Sequence, residues 1–186
     1  GESTANKPLI TSTANTLFTM GPTDSALTDV RIQQTASSPY GRAIYATGNS
    51  TVSRVDVSSN TSACELRDFA LLRDSLCRGG TNSMEGGVVI YAGSGANDVD
   101  VRNVTATGGN GIFAGTFNSG VNVNLDVRNS ILRGSVNDIR ATNNGSISSL
   151  SVGLTSSNYD SIDVALTSAS VTPVNSGNNQ AAAPSF

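Results

Sequence analysis

Two short segments repeat one charged pattern along the chain: Asp100-Val101-Arg102-Asn103 and Asp126-Val127-Arg128-Asn129. Side chains alternate between faces in an extended strand, so Asp100 and Arg102 share one face, and Asp126 and Arg128 repeat the arrangement. Stacked, they form an acidic column beside a basic one. The plain role is a solvated ladder of cross-coil ion pairs, each worth under about 1 kcal/mol. The chemical role is a Ca²⁺ site, although that cation takes six to eight oxygens and this column offers few. Hydrolysis of a glycosidic bond needs two carboxyl groups about 5 to 9.5 Å apart. Asp98 with Asp100, and Asp160 with Asp163, are near in sequence, but nothing else marks them as a site. The chain has no histidine, which excludes imidazole catalysis and His-ligated metals, so no catalytic residue and no metal ligand set is assigned.

Aromatic residues offer a second chemistry. Tyr45, Tyr91 and Phe113 each occupy the middle of a similar apolar triplet. Rings spaced along one sheet face can stack on sugar rings while the hydroxyls stay wet. The alternative is an aromatic ladder that shields the sheet or packs beneath a loop. Cys64 and Cys77 flank a short, charge-dense stretch holding Glu65, Arg67, Asp68, Arg73 and Asp74. An even cysteine count at short separation points to one disulfide, a staple worth about 3 kcal/mol in the chain-entropy model. Two buried free thiols are the other reading. Asn49, Asn60, Asn103 and Asn144 stand in Asn-x-Ser/Thr sequons, which arise freely in a chain this rich in Asn, Ser and Thr.

The 186 residues suffice for one domain with a real core. Charged residues make up only 13%, with a net charge of −3 and 11 basic side chains. That balance argues against a nucleic-acid partner, which requires a basic patch. No apolar run approaches the length of a membrane span. With a single lysine, Lys7, and much Ser, Thr and Asn, the composition suits a protein outside the cell.

The elements that would position these residues are short and periodic. One series reads Ile44-Tyr45-Ala46, Cys64-Glu65-Leu66, Ile90-Tyr91-Ala92, Ile112-Phe113-Ala114, Ile139-Arg140-Ala141 and Ile162-Asp163-Val164. A second, out of phase, reads Val30-Arg31-Ile32, Val55-Asp56-Val57, Leu72-Arg73-Asp74, Val101-Arg102-Asn103, Val127-Arg128-Asn129 and Val152-Gly153-Leu154. Both recur about every 24 residues, separated by turns rich in Gly, Asn and Ser. Short strands at fixed period predict an all-β solenoid of six to seven coils, each pairing in parallel with the next. Inward residues then stack like on like, with Ile44, Ile90, Ile112, Ile139 and Ile162 as one ladder. Asp74, Asn103 and Asn129 form a short polar ladder at a turn. An antiparallel sandwich also uses many short strands but predicts no such ladders.

Segments such as Leu72-Arg73-Asp74-Ser75-Leu76-Cys77, Asp100-Val101-Arg102-Asn103-Val104-Thr105 and Asp126-Val127-Arg128-Asn129-Ser130-Ile131 resemble coils of the right-handed parallel β-helix proteins. That broad superfamily includes pectate lyases, polygalacturonases and phage tailspikes. The likeness is greatest to secreted bacterial members without a characterised activity. It implies a single β-helix domain over residues 1–186, as part of a longer protein. It also implies either a non-catalytic module that spaces other domains or binds a surface glycan, or a lyase or hydrolase of an acidic polysaccharide. In the lyase case Ca²⁺ on the Asp100/Asp126 column would act with a neighbouring Arg as base. The fold hosts many functions, so the resemblance specifies architecture more than activity.

Overall fold

The structure, a computed structural model, describes residues 6–92, 96–116, 122–143, 149–159, 162–165, 171–175 and 178–181. Its strands run in chain order. After β1 (Leu9–Ser12) come β2 (Thr16–Met20), β3 (Ala26–Thr28) and β4 (Arg31–Gln34), then β5 (Arg42–Ala46), β6 (Thr51–Ser53) and β7 (Asp56–Ser59). The middle of the chain holds β8 (Ser62–Leu66), β9 (Leu71–Arg78), β10 (Gly86–Ala92) and β11 (Ala96–Thr116). The remainder is β12 (Asn122–Arg128), β13 (Ile131–Asn143), β14 (Ser149–Thr155), β15 (Ile162–Ala165) and β16 (Val171–Asn175). Every pairing is parallel and joins one coil to the next. The fold is therefore a parallel β-solenoid, as the period predicts.

Each coil visits three faces. Face 1 stacks β2, β5, β8, β10, the end of β11, the end of β13 and β15. Face 2 stacks β3, β6, the start of β9, the start of β11, β12, β14 and β16. Face 3 stacks β1, β4, β7, the end of β9, the middle of β11 and the start of β13. Among the described residues, five turns running from face 1 to face 3 have a strand on all three faces. Two more reach face 3 only through the single bridges Ile131↔Asn158 and Asn158↔Gln180, so the count is lower than six to seven equal coils.

Apolar ladders fill the interior. On face 1, Ile44, Cys64, Val88, Ile112 and Ile139 lie in register, all buried. On face 2 the series is Val52, Leu72, Val101, Val127 and Leu154, and on face 3 it is Ile32, Val57, Cys77, Ala106 and Leu132. Two sequence expectations need correction. Ile90 is not in the Ile44 ladder; it pairs with Leu66 and Ala114, and Val88 takes its place. Val30-Arg31-Ile32 and Val55-Asp56-Val57 belong to face 3, whereas the segments around Arg73, Arg102 and Arg128 belong to face 2. The reason is uneven coil length, which a fixed period cannot follow.

The turn from face 2 to face 3 repeats one conformation. Asp29, Arg54, Asp74, Asn103, Asn129, Ser156 and Asn178 all adopt φ between 49° and 61°. This left-handed region suits Asn and Asp best among residues with a side chain. The residue that follows is often serine with a buried hydroxyl. Ser75, Ser130 and Ser157 accept from Val55 N–H, Val104 N–H and Ser130 N–H of the preceding coil at 3.2, 3.2 and 3.3 Å. The coils are thereby tied together at a corner where regular pairing stops.

Candidate functional site

The outer side of face 1 is where the chain departs most from a bare sheet. Its outward row runs Tyr45, Glu65, Val89, Phe113 and Arg140 in register. On an open sheet these side chains would face water, yet Val89 is buried, Phe113 is 1% exposed and Glu65 is 3% exposed. The connection over residues 79–85 accounts for this by folding back onto the face. Asn110, buried at the edge of the same face, donates both amide hydrogens to it, reaching Ser83 O and Glu85 O at 3.0 Å each. Arg140 Nη1 donates to Ser83 O at 2.8 Å. Gly80 permits the close approach, because a Cβ there would collide with Asn60 O and the Glu85 carboxylate.

Between this connection and residues 39–42 lies a cavity of about 540 Å³, within the range of small-ligand sites. At its base Glu65 is held between two guanidinium groups. Arg42 Nη1 donates to Glu65 Oε2 in a close contact, while Arg67 donates to Oε1 through Nε at 2.9 Å and Nη2 at 2.7 Å. Arg67 follows Glu65 by two residues and so falls on the same side of the chain. A carboxylate buried this far from water needs such partners. Tyr45 braces both cations, with Arg42 at 4.6 Å and Arg67 at 5.1 Å from its ring centre.

The walls are aromatic and apolar. Tyr91 and Met84 line one side, and Tyr40, 84% exposed, stands at the rim. Burial pushes the Tyr91 phenol above its usual range, and the Glu65 carboxylate adds to the rise. Glu85 lines the cavity too; its Oε2 accepts the Asn82 N–H at 3.2 Å.

The structure separates the three aromatic residues singled out in the sequence. Tyr91 is a cavity wall, Tyr45 is a brace behind the arginines, and Phe113 is packed beneath the connection. Tyr91 lies two positions beyond the outward row of Tyr45, since Val89 is the residue opposite Phe113. The rings of Tyr91 and Phe113 meet edge to face at 5.8 Å and 61°. Phe113 leans over Gly115, where a Cβ would lie 2.9 Å from its ring. Sequence reasoning missed Tyr40, Arg42, Met84 and Glu85 as a group. The available signal was the paired glycines Gly79-Gly80 and Gly86-Gly87 that bracket the covering connection.

On face 2 Asp100 lies opposite Asp126 and Arg102 opposite Arg128. Their ion pairs run within each strand rather than between coils. Arg102 Nη2 donates to Asp100 at 2.6 Å, and Arg128 Nε donates to Asp126 at 2.8 Å. A two-residue spacing brings each pair side by side on one strand face. Bonding to Asp126 raises the Arg128 pKa above its usual value. Arg31 is on face 3, near Asp56, which also takes Arg78 at 2.6 Å. Asp98 accepts from Asn124 at 2.7 Å, so neither carboxylate of the Asp98/Asp100 pair is unengaged. Among the described residues no three His, Cys, Asp or Glu side chains converge as a metal site. Asp160 and Asn144 lie outside the described residues, and Asp163 is placed by its backbone alone, opposite Arg140.

The bridge expected between Cys64 and Cys77 is not formed: both are free, buried thiols. They belong to the inward ladders of faces 1 and 3. Burial, and then the neighbouring Cys77 thiol, push the Cys64 thiol well above its usual range. Compared with protein-family models, curated proteins and solved structures, the chain matches none.

Proposed function

We propose that this chain is a non-catalytic β-helix module of a secreted or cell-surface protein, and that it binds glycan in the cavity over face 1. The observation that carries this reading is the cavity itself: a recess about 540 Å³ in volume with tyrosine walls and a braced polar floor. Aromatic walls suit the apolar faces of sugar rings, and fixed donors suit their hydroxyls. The low charge, single lysine and Ser/Thr/Asn-rich composition support a place outside the cell. The resemblance of the coils to secreted bacterial β-helix proteins points the same way.

An enzyme acting on an acidic polysaccharide has weaker support. Asp100 and Asp126 are each engaged by an arginine of their own strand, and Glu65 is engaged by two. The test is incubation with neutral and acidic polysaccharides, with calcium and with chelator, followed by polymer sizing and a retention assay. We expect retention of at least one polymer without shortening, and loss of retention in Tyr91→Ala. Shortened chains would overturn the non-catalytic reading, and absence of retention would leave a structural spacer.

A further inference from the structure

Resting on the glycan-binding reading, we infer that the cavity selects neutral saccharides over acidic ones, because its own formal charges already cancel. Four charged side chains line it: Arg42 and Arg67, Glu65 and Glu85. The two arginines first meet a carboxylate of the protein, at contacts of 2.7 to 2.9 Å for Arg67. An acidic sugar would bring a third carboxylate into a recess that holds no net positive charge. It would lose water around its charge without gaining an unopposed counterion.

A neutral sugar meets a different balance. Arg67 Nη1 and Arg42 Nη2 have no acceptor among the described residues, and both side chains are 29% exposed. Those N–H edges are fixed in direction by Glu65 and by the Tyr45 ring. They are ready donors to hydroxyl or ring oxygens, and a guanidinium donor strengthens such bonds without requiring an ionised ligand. The Ser62 hydroxyl adds a small polar group, and Tyr91 supplies a surface for stacking.

The test pairs gluco-, manno- and galacto-oligosaccharides with their C6-oxidised uronate counterparts of equal length, titrated calorimetrically. We expect at least one neutral oligosaccharide to bind, its uronate to bind at least about tenfold more weakly, and the neutral affinity to hold as salt rises from about 0.05 to 0.5 M. Glu85→Gln removes one negative charge and narrows or inverts the preference. Should that variant fail to fold, Met84→Lys, at a half-exposed position in the lining, adds one positive charge instead and likewise narrows it. A uronate that binds the unmodified protein as well as its neutral partner would overturn the selectivity. If no member of any pair binds, the glycan reading itself falls, a separate result.

Discussion

Asn103 Nδ2 donates to Asp74 Oδ1 at 2.9 Å across one full coil, and both residues hold the left-handed backbone conformation. Each residue therefore answers two demands, a positive φ and a side chain able to bond along the solenoid axis. Asn103→Gly keeps the first and loses the second, whereas Asn103→Val loses both. We expect urea denaturation to show a loss of under about 1 kcal/mol for Asn103→Gly and about 1–3 kcal/mol for Asn103→Val.

Behind that ladder, the Ser130 hydroxyl accepts from Val104 N–H and donates to Arg128 O at 2.8 Å. Ser130→Ala leaves a buried N–H without its acceptor. The expected cost is about 1–3 kcal/mol, against under about 0.5 kcal/mol for an exposed control such as Ser135→Ala.

Glu65 is the keystone of the cavity floor. Removing it leaves two guanidinium groups facing one another beside Tyr45. Glu65→Ala is expected to destabilise the protein by about 3 kcal/mol and to abolish glycan retention even where the variant remains folded. Retention at unmodified strength would show that the arginines do not depend on Glu65 for their orientation.

The Asp100 and Asp126 pairs predict the opposite behaviour. They are half exposed, so Asp100→Asn with Asp126→Asn should change stability by under about 1 kcal/mol. Melting temperature is expected to be the same in calcium and in chelator; a clear rise with calcium would make this column a cation site.

Acid provides a local probe at the first coils. Bonding to Arg54, then to Thr28, holds the Asp29 carboxyl at about 2, against 3.8 for the free side chain. A depressed folded-state value stabilises the fold above the unfolded value, and that contribution fades as pH falls from about 4 towards 2. The stability advantage of the unmodified chain over Asp29→Asn should shrink across that interval and level off below it, as followed by circular dichroism.

Cys64 and Cys77 yield a chemical prediction. When the chain is unfolded and refolded in a mild disulfide oxidant, such as oxidised glutathione, both thiols are expected to disappear together and the mass to fall by two hydrogens as the oxidant is reduced. The bridge closes a short loop, and its stabilisation is expected to be about 3 kcal/mol. Thiols that persist through unfolding and refolding in oxidant would exclude the bridge.

Much of the architecture was legible in the chain. Parallel stacking follows from apolar pairs recurring at a near-constant spacing, since only coil-on-coil pairing places like residues in register. The Asp74, Asn103 and Asn129 turn follows from residue type, because few side chains tolerate a left-handed backbone. The Asp100/Arg102 and Asp126/Arg128 columns follow from strand alternation alone. Register was less legible wherever coil length changed. From Asp29 to Arg54 is 25 residues, to Asp74 only 20 more and to Asn103 a further 29, which shifted Ile90 and misplaced Arg31.

Cover over the outer faces was decided by tertiary structure. Strand alternation assigns Glu65, Val89 and Phe113 outward, and they are outward; they are nevertheless buried, because residues 79–85 fold back over face 1 and bond to Asn110 and Arg140. Local sequence sets the direction in which a side chain points. What then lies above it depends on a connection from another coil, whose path is set by distant hydrogen bonds and by the room glycine leaves. The cavity, its paired arginines and the separation of Tyr91 from Phe113 all arise at that level.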